Sequence, residues 1–260
     1  MSVRLVEILR VPRDRFIAWP GASPNGHPAL GCRQCTATIW LFQGDNNLIR
    51  IQSDGELLNL CLSRTDKANA LTREMLRDLV TAVEEARRSG VRALVLSGEG
   101  KVFSAGADLD EARAGLASDP VWEHLSSAIA ALPCLTIAAL NGTLAGGAFG
   151  MVLACDLRLA VPEAKFFYPV MRLGFLPQPS DPRRLAALIG PSRAKMILMA
   201  GLKIGADEAL GWGLIDRIVA PGALAAEAAA LADAARAADL GHVEAIKRLI
   251  APEPAAHGSL

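Results

Sequence analysis

Phe103-Ser-Ala-Gly-Ala-Asp-Leu109 and Asn141-Gly-Thr-Leu-Ala-Gly-Gly-Ala148 are two glycine-rich loops of one kind, each following a β-type segment. Glycine lets the backbone turn sharply and approach a ligand closely. The second loop also leads into a helix, whose first N–H groups have no intrahelical partner and carry partial positive charge. Together, two such loops can present two N–H donors to one oxygen on which negative charge develops. Loss of one such donor costs roughly 3–4 kcal/mol of transition-state stabilisation. Taken singly, either loop reads more simply as a tight turn. Neither is a phosphate loop, since no Gly-Lys-Ser/Thr follows and no GxGxxG is present.

Around these loops the pattern alternates strands and helices, which predicts an α/β fold. Leu48–Gln52 and Leu57–Ser63 flank the turn Ser53-Asp54-Gly55, a hairpin signal. Thr72 can cap a helix running to about Arg88, with Met75, Leu76, Leu79, Val80 and Val83 on one face and Ser89-Gly90 at its end. Further strands are expected at Val91–Leu96, Leu135–Ala139, Leu157–Ala160, Phe166–Phe167 and Leu214–Val219. Further helices are expected from Asp119-Pro120 to Ala131, over Ala148–Cys155, Arg183–Leu188, Ser192–Met199 and Ala206–Leu210, and between Leu224 and Ile250. The last of these are Ala-rich with few large residues, so they need a surface to pack against; a second copy of the chain would supply one. Residues 1–46 carry Pro12, Pro20, Gly21, Pro24, Gly26, Pro28 and Gly31 in no regular pattern, and a tail, an oligomer arm or a misassigned start all fit.

Composition narrows the function. Lys+Arg and Asp+Glu both number 27, and this balance argues against a polybasic nucleic-acid binder. The uncharged run Leu125–Cys155 is broken by Pro133, Asn141, Gly142, Gly146, Gly147 and Gly150, so it reads as strand, loop and buried helix rather than a membrane span. With no apolar stretch at the N-terminus suited to secretion, a soluble cytoplasmic protein is expected. Cys61, Cys134 and Cys155 sit in apolar segments as small core residues. Cys32-Arg-Gln-Cys35 lacks a second CxxC and has only His27 nearby, so no metal site is assigned.

Several stretches in order and spacing resemble the crotonase (enoyl-CoA hydratase/isomerase) superfamily: Arg64-Thr-Asp-Lys-Ala-Asn-Ala-Leu71, Phe103 to Asp108, Ala138-Ala-Leu-Asn-Gly142, Gly146-Gly147, Cys155-Asp156, Leu173-Gly174 and Ala209-Leu-Gly-Trp-Gly-Leu-Ile-Asp216. The resemblance covers roughly residues 48 to 250. It implies a crotonase-like α/β fold, a repeated ββα spiral with C-terminal helices, divided as an irregular extension (1–46), a core (47–200) and a helical region (201–260). It implies an acyl-coenzyme A thioester as ligand, with no cofactor beyond the coenzyme A of the substrate, and a homo-oligomer, trimer or hexamer. Carried over by position, the N–H groups of Ala107 and Gly147 form an oxyanion hole, and Ala68, Ala70, Ala105, Asp108 and Leu109 line the nucleotide and pantetheine side. Lys247 is a candidate for a coenzyme A phosphate, reached from a neighbouring subunit; a solvated helix charge beside Arg248 is the other reading.

The pattern breaks where hydration chemistry would sit. The family's hydratases use two glutamates, one three residues after the oxyanion-hole glycine and one directly after the later proline. Here those positions are Gly150 and Val170, neither of which exchanges a proton. Asp181 in Pro179-Ser-Asp-Pro-Arg183 can supply a buried base of raised pKa or simply cap a helix. Tyr168, the only tyrosine, can deliver a proton or pack as a loop aromatic; His124 suits acid/base work but reads as a surface group on its helix; Asp110 and Glu111 read as solvated helix-start charges. Phe149, Phe167, Val170, Met171, Phe175 and Leu176 suggest a hydrophobic acyl end or ordinary core. Isomerase-type or decarboxylase-type enolate chemistry is therefore favoured over two-glutamate hydration, with thioester hydrolysis or a non-catalytic acyl-coenzyme A binder as alternatives.

Overall fold

The computed structural model describes residues 48–250. The extension over residues 1–46 and the Cys32/Cys35 pair lie outside them. Ten strands and ten α-helices follow in chain order: β1 (Ile49–Ser53), β2 (Leu57–Leu62), α1 (Arg73–Ser89), β3 (Ala93–Gly98), β4 (Val102–Ser104), α2 (Leu109–Arg113), α3 (Val121–Ala130), β5 (Leu135–Leu140), β6 (Thr143–Ala145), α4 (Phe149–Leu153), β7 (Leu157–Ala160), β8 (Lys165–Phe167), α5 (Val170–Leu173), α6 (Asp181–Ile189), α7 (Pro191–Leu198), β9 (Ile204–Gly205), α8 (Ala206–Trp212), β10 (Arg217–Ile218), α9 (Leu224–Ala237) and α10 (Leu240–Ile250).

The strands form two sheets, one ordered β1-β2-β3-β5-β7-β10 and one ordered β4-β6-β8-β9. Three strands of the first sheet are each followed by a short strand of the second and then a helix: β3–β4–α2, β5–β6–α4 and β7–β8–α5. This is the repeated ββα spiral. In the large sheet the β1–β2 hairpin is antiparallel, and every pairing from β2 onward is parallel. The small sheet is parallel through β4, β6 and β8, with β9 antiparallel at its edge.

Local chemistry accounts for the best-formed helix. Thr72 Oγ1 accepts the Met75 N–H at 3.1 Å, and Gly90 at φ 72° closes the C-terminus by donating its N–H to Ala86 O. Between these caps Met75, Leu76, Leu79, Val80 and Val83 are all buried. The helix expected over Ala148–Cys155 is shorter. Residues 146–148 form a 3-10 turn, α4 spans only Phe149–Leu153, and the Cys155 N–H closes on Val152 O so that β7 can start at Leu157. The strand expected over Leu214–Val219 shrinks to Arg217–Ile218, because the amides of Leu214 and Ile215 still bond Ala209 O at the end of α8.

The Ala-rich C-terminal stretch finds part of its packing surface within the chain. α9 buries Leu224, Ala228 and Ala232 and lies against β3, β5 and β7. α10 buries no residue; Lys247 Nζ ties it down, reaching Asp156 Oδ2 at 2.7 Å and Cys134 O at 2.9 Å. Cys61, Cys134 and Cys155 are buried free thiols, and burial pushes the last two up to about 12. No helix among the described residues is long and apolar enough to cross a membrane.

Replacing Thr72 by Ala leaves the Met75 amide without its side-chain acceptor. We expect a loss of about 1 kcal/mol in urea unfolding with an unchanged m-value.

Candidate active site

The parallel register of β4, β6 and β8 sets three chain reversals side by side. Val102 pairs with Thr143, Ser104 with Leu144, and Leu144 with Phe166, so all three strands end at one edge. Beyond those ends come Ala105–Ala107, Gly146–Gly147 and Tyr168–Val170, and all three segments line one pocket of about 360 Å³. Its wall is otherwise mainly apolar, with Leu109, Ala117, Trp122, Leu173, Phe175 and Leu176.

The two glycine loops touch. Gly106 sits at φ 93°, and a Cβ there would come within 2.9 Å of Ala145 O and 3.4 Å of Gly146 Cα. Only a residue without a side chain permits both the left-handed backbone and that approach. On the far side of the first loop, Leu71 forms a bridge to Ala107: the Leu71 N–H donates to Gly106 O at 2.8 Å, and the Asp108 N–H donates to Leu71 O at 2.9 Å. Leu71 thus engages the residues flanking Ala107, which leaves the Ala107 amide turned away from it, as alternation along an extended chain requires. Gly147 lies in the first turn of the 3-10 segment before α4, where an amide has no intrahelical acceptor. The Trp122 ring backs it, 3.3 Å from where a Cβ would stand, and is pinned by its Nε1–H to Leu116 O at 2.8 Å.

The loop over Arg64–Leu71 is built by strain and compensation. Ala68 and Asn69 both have positive φ, 51° and 52°, which non-glycine residues seldom adopt. The buried Asn69 side chain answers by donating to Glu99 O and Val102 O at 3.0 and 2.8 Å, while Ser104 Oγ donates to Asn69 O at 2.8 Å. Ala68 O accepts the Ala105 N–H at 3.0 Å, and Ala70 O accepts from Arg64 at 2.9 Å. The same guanidinium bonds Asp108 Oδ2 at 2.8 Å and holds that carboxyl below its usual range. Asp108 also caps α2 through the amides of Asp110 and Glu111. Ala68, Ala70, Ala105 and Asp108 are therefore gathered by one network around the first loop, and Leu109 follows in the chain as an exposed residue.

Asp181 is completely buried, and its carboxylate serves no helix cap: Ser180 holds the N-cap position of α6. The Tyr168 hydroxyl donates to Asp181 Oδ2 at 2.9 Å. The other oxygen, Oδ1, has no hydrogen-bond partner and lies 3.0 Å from where a Cβ on Gly150 would be. The carboxyl of α6 thus points at the space left by the missing side chain of α4. Burial drives the Asp181 carboxyl up from its ordinary 3.8 to about 7, against the smaller opposing pull of the Tyr168 hydroxyl. Burial, and then the Asp181 charge, raise the Tyr168 phenol in turn. Phe149 stacks on the Tyr168 ring at 5.3 Å between centroids. Glu123 accepts from both the amide and the hydroxyl of Ser180, fixing the loop that carries Asp181.

Other expected residues sit elsewhere. Lys247 is not brought to the pocket within this chain, since its ammonium is engaged by Asp156 and Cys134 O. His124 is exposed beside Glu84. Asp110 is exposed and pairs with Arg113, but Glu111 is no solvated charge: it accepts the Arg73 N–H at 2.7 Å and ties α2 to α1. Of the apolar residues expected near the acyl end, Val170, Phe175 and Leu176 line the pocket. Phe149 is core, Met171 is mainly exposed, and Phe167 lies under the Lys203 ammonium at 5.0 Å. Trp122 and Gln178 were not anticipated. Gln178 is mostly buried, and its side-chain amide donates to Ala117 O at 3.3 Å. Nothing local in the sequence distinguishes either from core or loop residues.

Residues 53–252 match the sequence model of the enoyl-CoA hydratase/isomerase family. YngF of Bacillus subtilis, provisionally assigned as an enoyl-CoA hydratase/isomerase, is 38% identical over 199 residues, covering 74% of this chain and 76% of the relative. A solved enoyl-CoA hydratase from Bacillus anthracis superposes with a TM-score of 0.71 at 30% identity, over 78% of this chain and 82% of its own. A solved enoyl-CoA hydratase subunit from Geobacillus kaustophilus superposes with a TM-score of 0.71 at 34% identity, over 78% and 80%.

A carboxyl whose folded-state pKa is raised contributes stability below its unfolded pKa and loses it as pH climbs to the folded value. For Asp181 that window runs from about 4 to about 7. We expect the stability of Asp181→Asn relative to the unmodified chain to grow across this window, by at most about 1.4 kcal/mol per pH unit, and to stay level above it. Paired denaturant melts at pH 4, 5.5, 7 and 8 check this.

Proposed function

Because the chain belongs to the enoyl-CoA hydratase/isomerase family, we propose that it binds an acyl-coenzyme A thioester and carries it through an enolate held by the amides of Ala107 and Gly147. The reaction is a proton-transfer isomerisation, or a decarboxylation, rather than hydration. One observation supports the reading: Ala107 and Gly147 line one mainly apolar pocket, while Gly150 and Val170 carry no side chain that can exchange a proton.

Charge appears on the thioester oxygen in both reactions, so both gain from donors fixed in place before the reaction. Hydration needs a water activated at one carbon and a proton delivered at the next, two tasks that call for two groups. Isomerisation needs one group that takes a proton and returns it at another carbon. Decarboxylation generates the enolate by loss of carbon dioxide and needs only the later protonation. The Tyr168–Asp181 pair provides one such station, and it is the proton-bearing group proposed here.

Ala68, Ala70, Ala105, Asp108 and Leu109 are proposed to receive the nucleotide and pantetheine part, supported by the network that joins the first four around the first loop and by Leu109 lining the pocket. Lys247 takes no part in this reading, since reaching a phosphate would break its pair with Asp156. The apolar wall formed by Val170, Leu173, Phe175 and Leu176 supports a hydrocarbon acyl group.

Nuclear magnetic resonance of 2-enoyl-, 3-enoyl- and malonyl-type thioesters in deuterated buffer tests the proposal. We expect double-bond migration or carbon dioxide release, with little 3-hydroxyacyl product. Rapid hydration would overturn the reaction class. Tight binding with neither turnover nor deuterium at the α-carbon would leave a non-catalytic acyl-coenzyme A binder.

A further inference from the structure

The carboxyl of Asp181 is close to the chemistry but walled off from it. It has no exposed surface and is absent from the pocket lining, whereas Tyr168, which donates to it, is a lining residue. The hydroxyl of Tyr168 lies 2.9 Å from Asp181 Oδ2, and the Gln178 amide is at 3.5 Å from that hydroxyl. The charged neighbours of Asp181 are Arg184 on its own helix and Glu123 on α3, while α4 offers only Gly150. We propose that Tyr168 is the catalytic acid–base of this pocket and that Asp181 acts through it, as the positioning residue and proton store behind the phenol. This rests on the enolate reading above and deepens it by naming the atom that meets the substrate.

The proton balance closes without any further reactant. In isomerisation the Tyr168 oxygen takes the proton from the carbon being ionised while its own phenolic proton passes to Asp181 Oδ2. The C–H electron pair moves into the enolate. On return, Asp181 gives its proton back to the Tyr168 oxygen as the phenolic O–H protonates the other carbon, and the enolate pair forms the new C–H bond. The dyad ends as it began. In decarboxylation the C–C pair enters the enolate as carbon dioxide leaves, and a protonated Asp181 refills Tyr168 as the phenol protonates the α-carbon; Asp181 is then recharged from solvent.

The two reactions demand opposite states of Asp181 at the start. Isomerisation needs the carboxylate, so its rate rises as pH passes upward through about 7; decarboxylation needs the acid, so its rate falls over the same interval. The experiment combines a substrate-independent measurement with turnover. Carboxyl carbon resonances of the intact protein are titrated in the unmodified chain and in Tyr168→Phe. We expect one aspartate, lost in Asp181→Asn, to titrate far above the ordinary carboxylate range and to move higher still in Tyr168→Phe, since the phenol stabilises the charged form. An ordinary titration, or one indifferent to Tyr168→Phe, overturns the dyad whatever the reaction is.

On whichever thioester turns over, Tyr168→Phe should lower the rate constant by 100-fold or more with ligand affinity within about threefold. Asp181→Asn should lower it at least tenfold and remove the pH limb near 7, a change that a merely structural role would not produce. Retention of the limb in Asp181→Asn, or near-normal turnover in Tyr168→Phe, overturns the relay. If no thioester turns over while the titration behaves as expected, the enolate reading fails and the dyad stands as a structural pair, which also overturns the catalytic assignment of Tyr168.

Discussion

The parallel alignment of β4, β6 and β8 is the constraint on which the site depends. Each of these strands has only three residues and too little burial to persist alone. Held side by side they release the chain at one edge three times, and the pocket-lining segments follow at once. Parallel strands commonly bind ligands beyond their carboxyl ends, and here the ββα repeat reaches that arrangement three times over. Gly106 lets the first two loops meet at backbone distance; any side chain there would push them apart.

The carboxyl at the site shows how a fold can keep a charge while changing its address. α4 carries none at Gly150, and α6 sends one across from Asp181 into the adjoining space. Burial of a carboxylate is costly unless it is hydrogen-bonded, and Asp181 receives one hydroxyl while its second oxygen goes without. Burial, opposed mainly by that one hydroxyl bond, keeps the carboxyl easy to protonate near neutrality. A fully bonded carboxylate would stay ionised to lower pH.

Features set by nearby residues were legible in the sequence. The hairpin at Ser53–Gly55, the cap at Thr72, the stop at Gly90 and the apolar stripe of α1 all emerge where the local pattern puts them. Of the short strands of the small sheet only β8, at Phe166–Phe167, was legible; β4 and β6 were not, because three residues carry no periodicity and exist as strands only through pairing. The two glycine loops and the absence of carboxylates at Gly150 and Val170 were readable from the resemblance. That Asp181 would lie behind Tyr168 rather than cap its helix was not, since it depends on α4 and α6 being neighbours. Trp122 was invisible for the same reason: its value lies in facing Gly147, a residue 25 positions away in the chain.

The buried thiols carry a consequence of another kind. Cys61 lies in β2, Cys134 directly precedes β5 and Cys155 lies two residues before β7, so all three sit in or beside strands of the large sheet. Held protonated by burial, they are poor nucleophiles until that layer opens. With Cys32 and Cys35 replaced, the alkylation rate of each sulfur would act as a clock for the breathing of its own strand, separating the hairpin edge from the sheet centre without any added label.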